Sequence, residues 1–108
     1  ILAHDASTKL HLGCTKVAKV SIGKRTFLGA RSIVLPGVSI GDNVIIGAGS
    51  IVTSSIPDNV VAMGAPARIV STLDNFMHKH AINISNGQVI KTFSDLKNNN
   101  TGDYFYIK

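Results

Sequence analysis

The sequence predicts an all-β fold in which short parallel strands stack as successive coils. From position 22 an aliphatic residue returns at every sixth position, as Ile22, Leu28, Val34, Ile40, Ile46 and Val52. Glycine directly follows four of these residues. A second series of small or β-branched residues lies four positions after each aliphatic, as Thr26, Ser32, Val38, Val44, Ser50 and Ile56. These observations indicate an extended chain that bends at regular intervals.

The period of six excludes an amphipathic helix. Six residues of α-helix rotate by about 600°, so successive aliphatics would lie on three different sides. In an extended chain, an even period keeps every aliphatic on one side. A single strand over residues 22–57 would be roughly 120 Å long, so the chain must bend. Three flat runs that close a triangle give a coil of 18 residues, so we expect two full coils with the aliphatics on the axis.

Two runs carry a resemblance to a known family. They are "IGKRTFLGARSIVLPGVSIGDNVIIGAGSIVT" and, after it, "IPDNVVAMGAPARIV". Together they resemble the left-handed parallel β-helix of the hexapeptide-repeat acyltransferases, and within these the sugar and polysaccharide O-acetyltransferases. The resemblance covers about residues 1–80. It implies left-handed coils, acetyl-CoA as acyl donor, a sugar or glycan acceptor, and a homotrimer with active sites between subunits.

The motif "AHD" holds the residue that the resemblance assigns to catalysis. His4 matches the family's general base, and an imidazole suits the removal of a proton from an attacking hydroxyl. Without the resemblance, a lone His beside an Asp indicates an ordinary surface residue. Asp5, its neighbour in sequence, is expected to orient the ring or contact a sugar hydroxyl, with a solvated turn residue as the alternative. His11, which lies with Lys9 on the following loop, is expected to contact the acceptor.

The resemblance also assigns residues that bind acetyl-CoA. Backbone amides are expected to face the coenzyme at Ala30, Gly47, Ala48 and Thr53, with the Ala30 amide near the thioester oxygen. Arg68, in "GAPARIV", matches a basic residue at the coenzyme's 3′-phosphate. Members of the family commonly carry Thr-Lys where this chain has Thr53 and Ser54. One cationic contact is therefore absent, which weakens coenzyme binding or leaves support to Lys24 or Arg25.

The domain organisation follows from where the repeat fails. We expect a β-helix acyltransferase domain over residues 1–70, with regular coils over 22–57. Stepping back by six from Ile22 gives Lys16, Leu10 and His4, so residues 5–19 are interpreted as a loop excursion. Because the motifs begin partway into a pattern, we expect further chain before Ile1.

Residues 71–108 are expected to form a short helix and a tail. The segment "STLDNFMHKH" predicts the helix, with Ser71 or Thr72 as its N-cap. Two strand-like runs follow, around residues 89–93 and 104–107, with an Asn-rich turn between them. They predict a hairpin, and an irregular tail is the alternative.

Composition bounds the remaining function classes. The net charge is +5, but its cations are dispersed and there is no Trp, so nucleic acid is not expected as a partner. A single cysteine favours the cytoplasm, and no membrane span is expected. No metal is expected either, because the four histidines lack ligand spacing. The alternative to an enzyme is a noncatalytic β-helix scaffold or the terminal module of a larger sugar-modifying protein.

Overall fold

The computed structural model describes residues 1–85, 89–90 and 106–107. The chain divides into two compact units, Ile1–Asp74 and Asn75–Lys108. The first unit consists mainly of strands, and the helix at the boundary begins at Leu73. Among the described residues, no helix has the length and apolar character needed to cross a membrane.

The elements up to the unit boundary are short. In chain order they are β1 (His4–Asp5), α1 (Lys9–Leu12), β2 (Lys16–Val17), β3 (Ser21–Ile22), β4 (Phe27–Leu28), β5 (Ile33–Val34), β6 (Ser39–Ile40), β7 (Ile45–Ile46), β8 (Ile51–Val52), β9 (Val60–Gly64) and β10 (Ala67–Thr72). Strands β3 to β8 each contain two residues, one from each side of the pleat.

Parallel pairing confirms the predicted length of the first coil. Strand β3 pairs with β6, β4 with β7 and β5 with β8. In every pair the partners lie 18 positions apart, as Ile22 and Ile40 do. The three pairs belong to three separate sheets, so the first coil presents three faces. We call these face one (β3, β6), face two (β4, β7) and face three (β5, β8).

The aliphatic series forms the core. In the second coil Ile46 and Val52 are fully buried and Ile40 is almost so, and in the first coil Val34 is fully buried. The first coil is less enclosed, since Ile22 is 37% exposed. Strand β3 has β6 as its only neighbour among the described strands, so the inner side of Ile22 lacks a second layer. Burial therefore increases along the stack.

The second coil is shorter than predicted. Val52 pairs with Val34 across 18 positions, yet Ile56 bridges Ile40 across only 16. The corner at residues 53–55 has therefore lost two residues. Ile56 is buried. Through its pairing with Ile40, it occupies the place of the next aliphatic of the main series, which runs from Ile22 to Val52. Residues 22–57 thus do not make two full coils of equal length.

The ladder of backbone hydrogen bonds locates the excursion. Leu35 N donates to Val52 O, and Leu2 N donates to Val34 O in the same way one layer below. The segment around Leu2 therefore lies along face three. The chain then leaves the coil, and Ala18 N donates to Ala3 O where it returns. Between these points, β1 and β2 pair antiparallel, and the short helix α1 lies at the far end.

Strands β9 and β10 close the other end of the stack. Strand β9 adds to face two, with Val61 and Ala62 parallel to Ile45 and Ile46. Strand β10 then turns back antiparallel to β9. Ala67, at its start, is buried in the core cluster. The sheet order on this face is β10, β9, β7, β4.

Helix α2 (Leu73–Ser85) is longer than predicted, and its start at Leu73 is the one expected with Thr72 as N-cap. Ser71 and Thr72 belong to β10, and the helix starts directly after Thr72. Within the helix the rings of Phe76 and His80 lie 4.5 Å apart, one turn along the same side.

The tail contains the strands β11 (Val89–Ile90) and β12 (Tyr106–Ile107), which lie within the two predicted runs. They pair in parallel, so the predicted hairpin is wrong, because a hairpin requires antiparallel strands. The remainder of the two predicted runs lies outside the described residues.

Candidate active site

The corner between face two and face three holds three of the predicted coenzyme-binding residues. Four-residue turns form it in both coils: Ser32 N donates to Gly29 O at 3.2 Å, and Ser50 N donates to Gly47 O at 3.3 Å. The third residue of each turn has positive φ, 60° at Arg31 and 71° at Gly49. Ala30 and Ala48 are the second residues, and both are exposed.

The turn geometry leaves the amides of Ala30 and Ala48 unused. In a turn of this kind, the carbonyl of the first residue accepts from the amide of the fourth, so the second amide points outward. Neither Ala30 N nor Ala48 N makes a hydrogen bond within residues 1–85. Because Ala30 and Ala48 lie one coil apart, the two donors are spaced by about 4.8 Å along the stack.

Gly47 does not offer a third donor, which corrects the expectation for its amide. Gly47 N donates to Ala62 O at 2.9 Å, so it belongs to the ladder between the coils. In the same way, Gly29 N donates to Ile46 O. Glycine is needed at both places because the next layer lies close. A Cβ on Gly29 would lie 2.5 Å from Ala48 N, and a Cβ on Gly47 would lie 2.8 Å from Met63 Cβ.

The turn between β9 and β10 lies over this same corner. Gly64 N donates to Ser50 Oγ at 3.2 Å, and Ser50 Oγ donates to Gly47 O at 2.6 Å. Ser50 is fully buried. Gly64 has a φ of 106°, which favours glycine. The hydroxyl of Ser50 thus links the corner to the turn that follows Met63.

Arg68 extends from that turn. Its Cα partner across the sheet is Met63, and Ala67 pairs with Gly64. The side chain of Arg68 is exposed, and Nη1 lies 3.5 Å from Ala67 O. It makes no ion pair with any residue from 1 to 85. The structure therefore brings the guanidinium-bearing strand next to the corner of Ala30, Gly47 and Ala48.

Thr53 lies at a different corner, the shortened one that follows face three. Thr53 N makes no hydrogen bond within the described coils. On face three the amides donate to the next layer, as Leu35 N does to Val52 O, and no described strand lies beyond β8 there. Its neighbour Ser55 has a structural role, since Ser39 N donates to Ser55 Oγ at 3.2 Å. One coil below, Ser21 N donates to the carbonyl of Val38 instead. A side chain thus replaces the backbone acceptor that the missing residues would supply.

The residues predicted for catalysis and acceptor binding lie in the excursion. The backbone of His4 pairs with Val17, and that of Asp5 pairs with Lys16. Asp5 is half-buried, and its Oδ1 accepts from Ser7 N at 2.8 Å. His11 lies in α1 and is exposed. His4 and Asp5 are thus at the root of the excursion, and His11 is at its far end.

One copy of the chain does not gather all the predicted residues at one place. Ala30, Gly47, Ala48 and Arg68 share the corner before face three. Thr53 and the root of the excursion lie at the corner after face three. There, a Cβ on Gly37 would lie 3.5 Å from Ala18 Cβ. The width of face three separates the two groups.

Sequence reasoning missed Ser50 and Ser55 as polar groups with specific partners. From the sequence, Ser50 is placed only in the repeat, and no role is assigned to Ser55. The sequence offers one signal for Ser50: Ser32 precedes it by 18 positions, and each hydroxyl donates to the glycine carbonyl of its own turn. Nothing local distinguishes Ser55, because its partner depends on the shortened coil.

No metal site is formed by the described residues, which contain no group of three His, Cys, Asp or Glu side chains able to hold an ion. The one cysteine, Cys14, is exposed on the excursion, and its Sγ lies 3.4 Å from Leu12 O. The buried environment expected for a small unreactive thiol is therefore absent at this position.

Comparison with known proteins supports the repeat and its context. Residues 19–54 match the family described as the hexapeptide repeat of succinyl-transferase. A Staphylococcus aureus protein named as an acetyltransferase is 42% identical over 71 residues, which is 66% of this chain and 36% of that protein. The galactoside O-acetyltransferase of Lactococcus lactis is 61% identical over 51 residues, 47% of this chain and 25% of that enzyme.

A solved structure shares the fold over the same region. A galactoside acetyltransferase in complex with coenzyme A superposes with a TM-score of 0.59 and 39% identity, covering 68% of this chain and 37% of that one. The chain thus spans about a third of the length of the first of these relatives. The matched repeat, the relatives and the shared fold support a hexapeptide-repeat acetyltransferase family for this chain.

Proposed function

We propose that the protein is an acetyl-CoA-dependent O-acetyltransferase that acetylates a hydroxyl of a sugar or glycan, and that its coils close as a left-handed β-helix. The observation that carries this proposal is the pair of unused amides at Ala30 and Ala48 beside the strand of Arg68. A long coenzyme arm requires backbone donors spaced along one line and a cation for its phosphate. The corner offers both on one edge.

The coenzyme supplies an acetyl group activated as a thioester. In the proposal, Ala48 N–H holds the pantetheine arm, and Arg68 pairs with the 3′-phosphate. Ala30 N–H donates to the thioester oxygen, where negative charge develops as the acceptor attacks. Gly47 contributes space, because its own amide is engaged with Ala62. Thr53 N–H is assigned to the same coenzyme from the next corner.

The excursion supplies the acceptor side in this proposal. The His4 imidazole takes the proton of the sugar hydroxyl as its oxygen attacks the acetyl carbonyl carbon. The imidazolium then returns that proton to the departing thiolate, so the ring ends as it began. Asp5 orients the ring or binds a neighbouring hydroxyl, and His11 contacts the acceptor from the far end of the excursion.

A homotrimer with active sites between subunits is part of the proposal. It is supported by the separation of the predicted residues into two corners, on either side of face three. A second copy can bring the corner of Ala30 and Ala48 against the excursion of its neighbour, whereas one chain leaves them a face apart. The acceptor is a small sugar or a glycan, and the cytoplasm is the proposed compartment.

The test is a thiol-release assay with acetyl-CoA and a panel of acceptors. The panel contains galactosides, acidic oligosaccharides and an amino sugar, and the product is analysed by mass spectrometry to separate an O-acetyl ester from an N-acetyl amide. The expected result is release of free coenzyme A that depends on a hydroxyl acceptor. Failure to bind acetyl-CoA at millimolar concentration would reject the enzyme and favour a scaffold. Acetylation of the amine alone would reject O-transfer.

A further inference from the structure

We propose that Ser50 is a positioning residue of the coenzyme site, which it serves by holding the turn that precedes Arg68 against the corner that presents the Ala48 amide. The inference rests on the proposed function and deepens it. Ser50 touches neither the coenzyme nor the acceptor in this account. It acts through Gly64 and so through the strand that carries the cation.

The hydroxyl of Ser50 has two partners that belong to two different parts of the site. It donates to Gly47 O at 2.6 Å, within the corner, and it accepts from Gly64 N at 3.2 Å, within the turn. The residue is fully buried, and it is the polar member of an otherwise apolar set of core residues. A buried hydroxyl whose donor and acceptor capacities are both used fixes the distance between its partners.

The contacts around this bond transmit the position to Arg68. Gly64 pairs with Ala67, and Met63 pairs with Arg68, so the backbone at Gly64 sets the start of β10. On the other side, Met63 packs where a Cβ on Gly47 would be only 2.8 Å away. The ladder bond from Gly47 N to Ala62 O holds β9 to the corner just before the turn, and Ser50 adds the hydrogen bond to Gly64 within the turn itself.

Ser32 provides a matched control one coil below. Its Oγ lies 2.6 Å from Gly29 O, as Ser50 Oγ does from Gly47 O, and it also lies 3.2 Å from Gly47 O. Among the described residues, Ser32 makes no hydrogen bond to the turn of Gly64, whose amide donates to Ser50. It therefore shares the packing role of Ser50 without the link to Arg68.

The experiment compares acetyl-CoA with 3′-dephospho-acetyl-CoA as donors. The wild-type protein should show a lower KM for acetyl-CoA, because only that donor offers the phosphate to Arg68. In Ser50→Ala, the KM for acetyl-CoA should rise between about threefold and tenfold, as expected for one lost hydrogen bond, with kcat nearly unchanged. The preference for the phosphorylated donor should shrink accordingly. In Ser32→Ala that preference should stay at the wild-type ratio.

Two further variants separate positioning from general damage. Ser50→Thr keeps the hydroxyl and should retain the wild-type donor ratio. If the alanine variant does not fold, Ser50→Cys replaces the hydroxyl with a thiol, which is a weak acceptor for Gly64 N. Ser50→Ala combined with Arg68→Ala should show the same donor ratio as Arg68→Ala alone, because the two changes act on one contact.

The outcomes are distinguishable. Normal binding of acetyl-CoA with an unchanged donor ratio in Ser50→Ala and Ser50→Cys would overturn the role of Ser50 and leave the proposed function intact. A wild-type protein that binds both donors equally would reject Arg68 as the phosphate anchor, and with it the positioning role. A wild-type protein that binds neither donor would reject the proposed function itself.

Discussion

Ile56 bridges Ile40 across 16 positions, although Val52, four residues earlier, pairs with Val34 across 18. The two missing residues belong to the corner at 53–55. The loss removes the carbonyl that would accept from Ser39 N, and the hydroxyl of Ser55 takes its place. The stack therefore tolerates a shortened corner because one side chain restores the hydrogen bond.

Ser55→Ala should destabilise the protein by removing that acceptor. Ser39 is exposed, so water replaces part of the lost bond, and we expect a cost of about 0.5–1 kcal/mol, or a fall in Tm of roughly 2–8 °C. The measurement is thermal unfolding followed by circular dichroism. Ser54→Ala is the control, since Ser54 is exposed and makes no hydrogen bond with the described coils. Equal Tm values for the two variants would contradict the role of Ser55.

Arg68→Ala should raise the KM for acetyl-CoA with little change in kcat. A phosphate anchor far from the thioester stabilises the bound substrate and the transition state alike, so its loss affects binding. Added salt should have a similar effect on the wild type, because the guanidinium is exposed and screened. Steady-state kinetics at two ionic strengths test this.

Two companion variants identify the anchor. Lys79→Ala removes an exposed cation from helix α2 and should leave the KM unchanged. Arg25→Ala tests the alternative support proposed from the sequence, although its Nε already donates to Asn43 Oδ1 at 2.7 Å. A fall in kcat with normal coenzyme affinity in Arg68→Ala would show that this residue has another role.

His4→Ala and His4→Asn should each lower kcat by a factor on the order of 10²–10⁴, the usual contribution of a general base. Tm and acetyl-CoA affinity should stay near wild type, because the loss concerns proton transfer. The assay is coenzyme A release in the presence of an active acceptor. His78→Ala, on helix α2, is the matched control. Full turnover in His4→Ala would move the base elsewhere, with His11 as the next residue to replace.

The protein should form a trimer at micromolar concentration. Outward apolar side chains lie on two faces: Phe27, 63% exposed, belongs to face two, and Ile33, 40% exposed, belongs to face three. Such side chains on flat sheets favour association. Light scattering coupled to size exclusion measures the mass. A monomer would contradict the proposal of sites shared between subunits.

The sequence predicted the coil because the period of six is a property of the backbone as well as of the side chains. Each aliphatic must point inward, and the registers of 18 positions follow from three faces of six residues. The shortened second coil could not be read from the pattern. By the period of six, Ile56 belongs to the second series, and only its pairing with Ile40 shows that it takes a place in the main series.

The site was predictable to a lesser degree. The turns at Ala30 and Ala48 are local, so their exposed amides follow from the repeat. The engagement of Gly47 N with Ala62 depends on β9, which departs from the period of six. The link from Ser50 to Gly64 depends on the same strand. The contacts between the regular coils and β9 could therefore not be predicted from the repeat.

The excursion begins at Ala3 and ends at Ala18, two residues whose backbones are hydrogen-bonded to each other. Its two ends are thus neighbours, so the chain rejoins the stack at Ala18 close to the point where it left at Ala3. Lengthening, shortening or exchanging that segment leaves the spacing of every strand above it unchanged. If the excursion binds the acceptor as proposed, acceptor preference can diversify, in evolution or by engineering, without any adjustment of the scaffold that carries it.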